Sequence, residues 1–447
     1  MIMADLIVIG GGLSGCEAAW QAAQRGLTVR IYEMRPFKKT GAHTGGELAE
    51  LVCSNSLGSN LPDRASGLLK EELRQLNSLL IQVADRTAVP AGSALAVDRG
   101  VFSREITQSL SSHPNIEVLR EEICELPAGM TVVASGPLTS LTLSHAIRDF
   151  IGSDHLYFYD AIAPIISLES IDLSMAYRAS RYGRSEQEQG DYINCPLDAE
   201  QYGRFVDALR NAERIELKEF ELDLRQGVHA GYHRFFEGCL PVEILAERGE
   251  HALAYGPLRP VGLVDPRTGK RPHAVVQLRQ DNLAGTLYNL VGFQTNLTFP
   301  EQRRIFRTIP GLDKADFVRY GQMHRNTFIF APAHLLPTLQ SRNRSDLFFA
   351  GQITGVEGYV GNIATGLLAG LNAALLHRNQ DPLSLPRTTM LGALCHYITQ
   401  SSPIDFQPMK ANFGILPPPD YPLQGKRERA SSLAERALRD LKPYLDY

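Results

Sequence analysis

The chain has 447 residues, 44% of them hydrophobic and 21% charged, which makes it too long for one ordinary core and too apolar for intrinsic disorder. Its 45 basic and 49 acidic residues leave a net charge of −4, excluding a surface uniformly coated in positive charge but not a local basic face. No run of about 18 apolar residues and no basic leader is read in it, so no membrane span and no signal peptide are expected, and the protein is placed in the cytoplasm.

The first thirty-five residues carry the clearest pattern. Leu6 to Ile9 is a short apolar run expected as a buried parallel strand, followed by Gly10, Gly11, Gly12, Leu13, Ser14 and Gly15. That run satisfies G-x-G-x-x-G. A helix with Cys16, Ala19, Trp20 and Ala23 facing inward is expected next, then a second strand, Val29 to Tyr32, ending at the acid Glu33. Gly10 makes the turn, Gly12 admits a pyrophosphate against the backbone, and Gly15 lets helix and strand pack closely. The helix N-terminus supplies amide donors, and Glu33 can accept from a ribose hydroxyl. The order of these parts predicts dinucleotide binding.

Cys53 opens a polar stretch, Cys53-Ser54-Asn55-Ser56-Leu57-Gly58, expected as a loop between two helices. Cys124 lies among the acids Glu121, Glu122 and Glu125, a setting that disfavours a thiolate. Thr131 to Pro137, containing Gly136, reads as a strand and turn beneath the cofactor. From 166 to 330 the composition changes, with more charge and aromatics and no βαβ period. This segment is expected to be an inserted α+β substrate domain, with 1–165 and 331–447 forming the discontinuous cofactor domain. Leu347 to Gly351 is another buried strand ending in glycine, leading through Gln352 to Gly361, Asn362 and a helix rich in small residues. A sheet completed from the far end of the chain is the arrangement of FAD folds and is not expected of a methyltransferase using S-adenosylmethionine. Lys426 to Tyr447 is expected as a surface helix docked through Leu433, Ala437 and Leu441.

The closest two of the six cysteines, Cys16 and Cys53, stand 37 positions apart, so zinc ribbons and dithiol redox motifs are absent and no metal is expected. Cys16 and Cys395 sit in apolar helical contexts and Cys195 reads as structural. Cys53 and Cys239 differ, each flanked by polar or glycine-rich sequence, and are the candidate nucleophiles. Either needs an electropositive setting to ionise near neutral pH.

Several stretches, in order along nearly the whole chain, closely resemble the folate- and FAD-dependent tRNA (uracil-5-)-methyltransferases, the TrmFO family. They are Glu50 to Gly58, Asn194 to Leu197, Phe236 to Glu243, Leu258 to Leu263, Val291 to Leu297 and Phe406 to Gly414. Ala350 to Gly355 is also similar to the wobble-uridine flavoproteins of the MnmG (GidA) type, which usually run longer. The resemblance implies an α/β fold, a Rossmann-like, glutathione-reductase-like FAD domain interrupted by the insert. It further implies methylenetetrahydrofolate as carbon donor, NADH or NADPH as reductant, and ribothymidine in the T-loop (position 54) of tRNA as product. The one-carbon unit would pass through the reduced flavin at N5. Two family thiols match Cys53 and Cys239. Cys239 is assigned to attack uracil C6, with Cys53 as proton acceptor or guard of the flavin, an assignment that exchange would satisfy equally. Monomer is the expected state. For folate or the base edge, Arg259, Asn289 and Gln294 to Asn296 are the polar candidates. For the T-arm, the candidates are Arg178, Arg181 and Arg184, which share a face if helical, then Arg303, Arg304 and Arg307, and Arg319 with Arg325. The competing readings are a flavin oxidoreductase acting on a small molecule and a wobble-uridine tRNA-modifying flavoprotein.

Overall fold

The computed structural model describes residues 4–38, 40, 42–152, 156–183, 190–215, 240–402, 406–419 and 425–447, with side chains of 156–161 and 323–325 left aside. Its organising element is a five-stranded parallel sheet ordered Leu347–Phe349, Thr131–Val133, Leu6–Ile9, Val29–Tyr32, Ile116–Leu119. The central strand comes from the start of the chain and one edge from near its end, as the two glycine-terminated runs predict. The three strands at and beside the late edge, Leu347–Phe349, Thr131–Val133 and Leu6–Ile9, are largely apolar and buried, as a sheet covered on both faces requires. Val29–Tyr32 alternates instead, and its Arg30 pairs with Glu117 of Ile116–Leu119.

The helix Leu13–Gln24 packs against the long helix Tyr359–His377 at backbone distance. A Cβ on Gly366 would stand 2.2 Å from the Ser14 carbonyl oxygen, and one on Gly370 would stand 2.2 Å from that of Ala18. Small residues on both helices are therefore a packing requirement. By length and composition alone the 19 residues of the long helix would be enough to cross a membrane. The helix lies in the core, buried over nearly its whole length from Val360 to Leu375. Trp20 is only half-buried, edge-on to His113, while Cys16, Ala19 and Ala23 face the core as expected.

A second sheet of six antiparallel strands is ordered Tyr177–Ala179, Tyr192–Leu197, Ala274–Gln280, Leu287–Leu290, Ile165–Ser167, Phe317–Arg319. One face holds its own core, in which Phe293 lies 6.0 Å from Phe205 and 5.2 Å from Phe306. The other face is polar, carrying Asn194, Gln277 and Arg279. Leu156–Ala161 and Met323–Phe328 pair as an antiparallel ribbon where the chain enters and leaves this region. A three-stranded sheet, Ser56–Ser59, Ala94–Val97 and Ala88–Val89, sits beside the first core. The Cys53 segment leads into its first strand, which corrects the expectation of a loop between two helices. The tail helix Lys426–Leu441 docks as predicted, burying Leu433, Ala437 and Leu441. Its Arg436 is buried too, donating to the Pro417 and Pro418 carbonyls.

Candidate functional site

A cavity opens at the carboxyl ends of the parallel strands, where ligands of such sheets bind. Gly10, Gly12, Leu13 and Ser14 line it from the first turn, Glu33 from the second strand, and Gly136 from the loop after Thr131–Val133. Gln352, Tyr359 and Asn362 close it from the far end of the chain. The other glycines singled out in the sequence stand behind this lining. Gly11 donates its N–H to Glu33 Oε2 at 2.9 Å. A Cβ on Gly15 would come within 1.8 Å of the Gly10 carbonyl oxygen, and one on Gly351 within 2.0 Å of Ser14 Oγ. Gly361 faces Val356 and Leu394.

The residues present fit a dinucleotide. The first helix and the long helix both begin at the cavity, at Gly12 and Gly358, and neither has a side-chain cap. Their first-turn N–H groups are left for an anionic ligand. A Cβ on Gly12 would meet nothing within 4 Å, so the backbone there is open to close approach. Asn362 Oδ1 is buried with no hydrogen-bond partner among the described residues, an acceptor that calls for a donor in the cavity.

Glu33 does more than the sequence suggests. Its Oε1 accepts from Arg35 N and Nε, both at 2.9 Å, and its Oε2 from Gly11 N and Arg35 Nη2. Burial opposes its ionisation, but the Arg35 guanidinium and these donors prevail and hold the carboxyl below the ordinary range. Four donors occupy the acceptor sites of a carboxylate, so a ribose hydroxyl would share an oxygen rather than find one free. Arg35 reaches on to Glu50 at 3.0 Å.

The Cys53 loop lies between the start of the long helix and the second sheet. The Cys53 N–H donates to Tyr359 Oη at 2.7 Å, and the Ser54 N–H donates to the same oxygen at 3.0 Å. Tyr359 is the first residue of the long helix and also lines the cavity, so this hydroxyl ties the cysteine loop to the cofactor wall. From the polar face of the second sheet, Arg279 donates to Ser54 Oγ at 2.7 Å and to Asn55 Oδ1 at 2.9 Å. Asn55 Nδ2 in turn donates to the Gln280 and Val97 carbonyls. Arg99 pairs with Asp281 at 2.9 Å and donates to the Leu51 carbonyl.

Cys239 lies outside the described residues. Cys16, Cys195 and Cys395 are core residues. Burial raises all three thiols, that of Cys195 to about 12, so none is a ready nucleophile. Cys124 is exposed in a loop.

The polar and basic candidates fare unevenly. Arg178 is on a strand and Arg181 opens the single 3-10 turn Arg181–Gly183, so the two share no α-helical face; Arg184 is outside the described residues. Arg178 donates to Tyr288 Oη and Arg181 to Gln277 and the Val261 carbonyl. Arg303 and Arg304 lie on the helix Phe299–Phe306 and Arg307 just after it, beside Phe299 on an open surface. Arg319 donates to the Ala42 carbonyl, and the Arg325 side chain is among those left aside. Thr295 and Asn296 bind the buried Glu243, while Gln294 accepts from Val242 through its backbone. That segment serves the fold. Arg259 is exposed, and Asn289 is buried with Nδ2 unpartnered among the described residues. Sequence reasoning missed Arg35, Asn55, Arg279 and Tyr359. Arg279 had a signal, since in the strand Ala274–Gln280 polar Gln277 and Arg279 alternate with Val276 and Leu278.

Residues 5–381 match the model of the family described as glucose inhibited division protein A. The methylenetetrahydrofolate–tRNA-(uracil-5-)-methyltransferase TrmFO of Desulforamulus reducens is 57% identical over 440 residues, covering 98% of this chain and 97% of that one. The chain belongs to the TrmFO family. A TrmFO of Halalkalibacterium halodurans is 53% identical over 438 residues, covering 98% of each chain. Among solved structures, GidA of Aquifex aeolicus superposes with a TM-score of 0.70 at 17% identity, covering 99% of this chain and 73% of that one. That likeness is one of fold, a Rossmann-like scaffold with an inserted second sheet.

Proposed function

We propose that this chain is an FAD-containing methyltransferase that moves a one-carbon unit from methylenetetrahydrofolate to uracil C5 in tRNA, forming ribothymidine in the T-loop. The observation that carries this is the identity above one half, over nearly the full length, to relatives bearing that activity in their names. The cavity's two uncapped helix N-termini, open Gly12 and unpartnered Asn362 Oδ1 support FAD as its occupant. Its pyrophosphate would lie against Gly12, Leu13 and Ser14, with Glu33 at the ribose and Gln352 and Asn362 toward the flavin. When bound and reduced by NADH or NADPH, the flavin supplies hydride and passes on the one-carbon unit.

The chain's own residues do the rest. Uracil C5 is a weak nucleophile until a thiolate adds at C6 and pushes charge into an enolate. Cys239 is assigned that addition, and Cys53, beside the cofactor wall, accepts the C5 proton once the carbon bond has formed. Expulsion of the Cys239 sulfur then restores the ring. We read 1–165 with 331–447 as the cofactor domain, 166–330 as the domain that presents the RNA, and the working unit as a monomer in the cytoplasm. The test is a purified yellow protein given methylenetetrahydrofolate, NADH or NADPH and an unmodified tRNA transcript. Ribothymidine at one T-loop uridine is expected. Methylation from S-adenosylmethionine, or none with folate and reductant, overturns the reading.

A further inference from the structure

Two arginines near the cysteine loop meet an opposite charge. Arg35 lies between Glu33 and Glu50, and Arg99 holds Asp281. Arg279 differs. It is only 8% exposed, and among the described residues its guanidinium touches no carboxylate. Its Nε and Nη2 donate to two neutral oxygens, Asn55 Oδ1 and Ser54 Oγ, and its Nη1 makes no hydrogen bond there. Withdrawing a cation from water costs several kcal/mol unless an anion faces it, so a folded protein that keeps such a residue calls for an anion nearby.

The two oxygens that hold Arg279 belong to the residues immediately after Cys53. The same bonds that fix the guanidinium therefore fix its charge on the cysteine's own loop, with Asp281 and the Cys53 thiol both within Coulombic reach. The other charged and titratable groups around the thiol are already engaged. Arg99, from the helix Arg99–Ser111, is neutralised by Asp281. Glu50, on the cysteine's own segment, is bound by Arg35 and Thr44. Tyr359, from the long helix, accepts the Cys53 and Ser54 N–H groups and is held neutral by burial. Tyr192 is the cross-strand neighbour of Arg279, and burial raises its phenol too. Arg319 bonds to the Ala42 carbonyl. Arg279, like Arg319, makes no ion pair among the described residues, and the carboxylate within its Coulombic reach, Asp281, is already bonded to Arg99.

We infer that Arg279 is a positioning residue whose unpaired charge, clamped on Ser54 and Asn55, keeps Cys53 as a thiolate. A sulfur that is to receive a proton from uracil C5 must first be without one, so the inference rests on the proposed role of Cys53. The two can fail separately, because the test reads thiol ionisation and not methyl transfer.

The experiment follows alkylation of Cys53 by iodoacetamide in FAD-loaded protein, resolved from the other thiols by peptide mass spectrometry. In the wild type the reaction should reach half its plateau at least one unit below the pH of about 8.5 typical of a free cysteine. Arg279→Gln should move that midpoint up by a unit or more, slowing alkylation at neutral pH about tenfold. Arg279→Lys, which keeps a charge without the fork, should restore most of the difference. A wild-type midpoint at about 8.5 or above overturns the inference. So does an Arg279→Gln midpoint equal to the wild type in protein with unchanged flavin absorbance. If Arg279→Gln does not accumulate folded, the wild-type and Arg279→Lys midpoints decide: both low supports the inference, and a wild-type value in the ordinary range ends it.

Discussion

Asn55 is fully buried and joins three elements that the chain brings together from far apart. Its Nδ2 donates to the Val97 carbonyl at 3.1 Å and the Gln280 carbonyl at 2.9 Å, and its Oδ1 accepts from Arg279 Nε at 2.9 Å. Asn55→Ala leaves two buried carbonyls and one guanidinium N–H without partners. With about 1 kcal/mol for each neutral bond and about 1.5–3 kcal/mol for the charged one, the expected loss is about 4 kcal/mol. Asn55→Asp keeps the acceptor for Arg279 but loses both donors, so its loss should be smaller. Urea titration of FAD-loaded protein reads this through Trp20, the single tryptophan, which lies against His113 in the first core. Flavin fluorescence on release is the second probe, since a chain with two cores need not unfold in one step. A loss below about 1 kcal/mol for Asn55→Ala would refute the reasoning that this residue carries the junction between the cysteine loop and the second sheet.

Three further outcomes are expected. Burial raises the Glu72 carboxyl to about 7 from its ordinary 4.5, against the Met390 and Leu391 N–H groups that it accepts. The native state therefore binds the extra proton between those values, and this residue's contribution to stability falls as pH rises through about 4.5 to 7 and is level above. Subtracting the Glu72→Gln stability profile from that of the wild type should show that downward slope; a flat difference would contradict it. Gly370→Ala should cost about 1–3 kcal/mol or more, because the new methyl meets the Ala18 carbonyl oxygen in the helix contact behind the cavity; thermal melts that superpose on the wild type would show that the helices can part freely. Cys53→Ala and Cys239→Ala should each reduce ribothymidine formation by several orders of magnitude while keeping bound flavin, and full activity in either would end the two-thiol scheme.

The nucleotide fold was legible because its signals are contiguous. Strand, glycine turn, helix and second strand occupy the first thirty-three residues, and each constraint there acts between near neighbours, as Gly15 against Gly10 shows. The late strand Leu347–Phe349 was legible for the same reason, as a buried run ending in glycine. The basic clusters were not. Arg178 and Arg181 suggest a helical face only if a helix forms, and strand pairing with Tyr192–Leu197 overrides that local pattern. The 19-residue apolar helix shows the same limit from the other side: its composition is compatible with lipid or core, and only its fit against Ala18 and Ser14 identifies which.

By itself, then, the order of residues determined the parallel sheet, its glycine turn, and the sorting of Cys53 away from the core cysteines, since those depend on periodicity and local sterics. Tertiary structure alone decided what surrounds Cys53. Arg279 and Ser54 are 225 positions apart, and Tyr359 meets the Cys53 N–H across 306. No local propensity encodes a meeting at that separation; it exists because the polar face of the second sheet and the start of the long helix both close on the one cysteine loop.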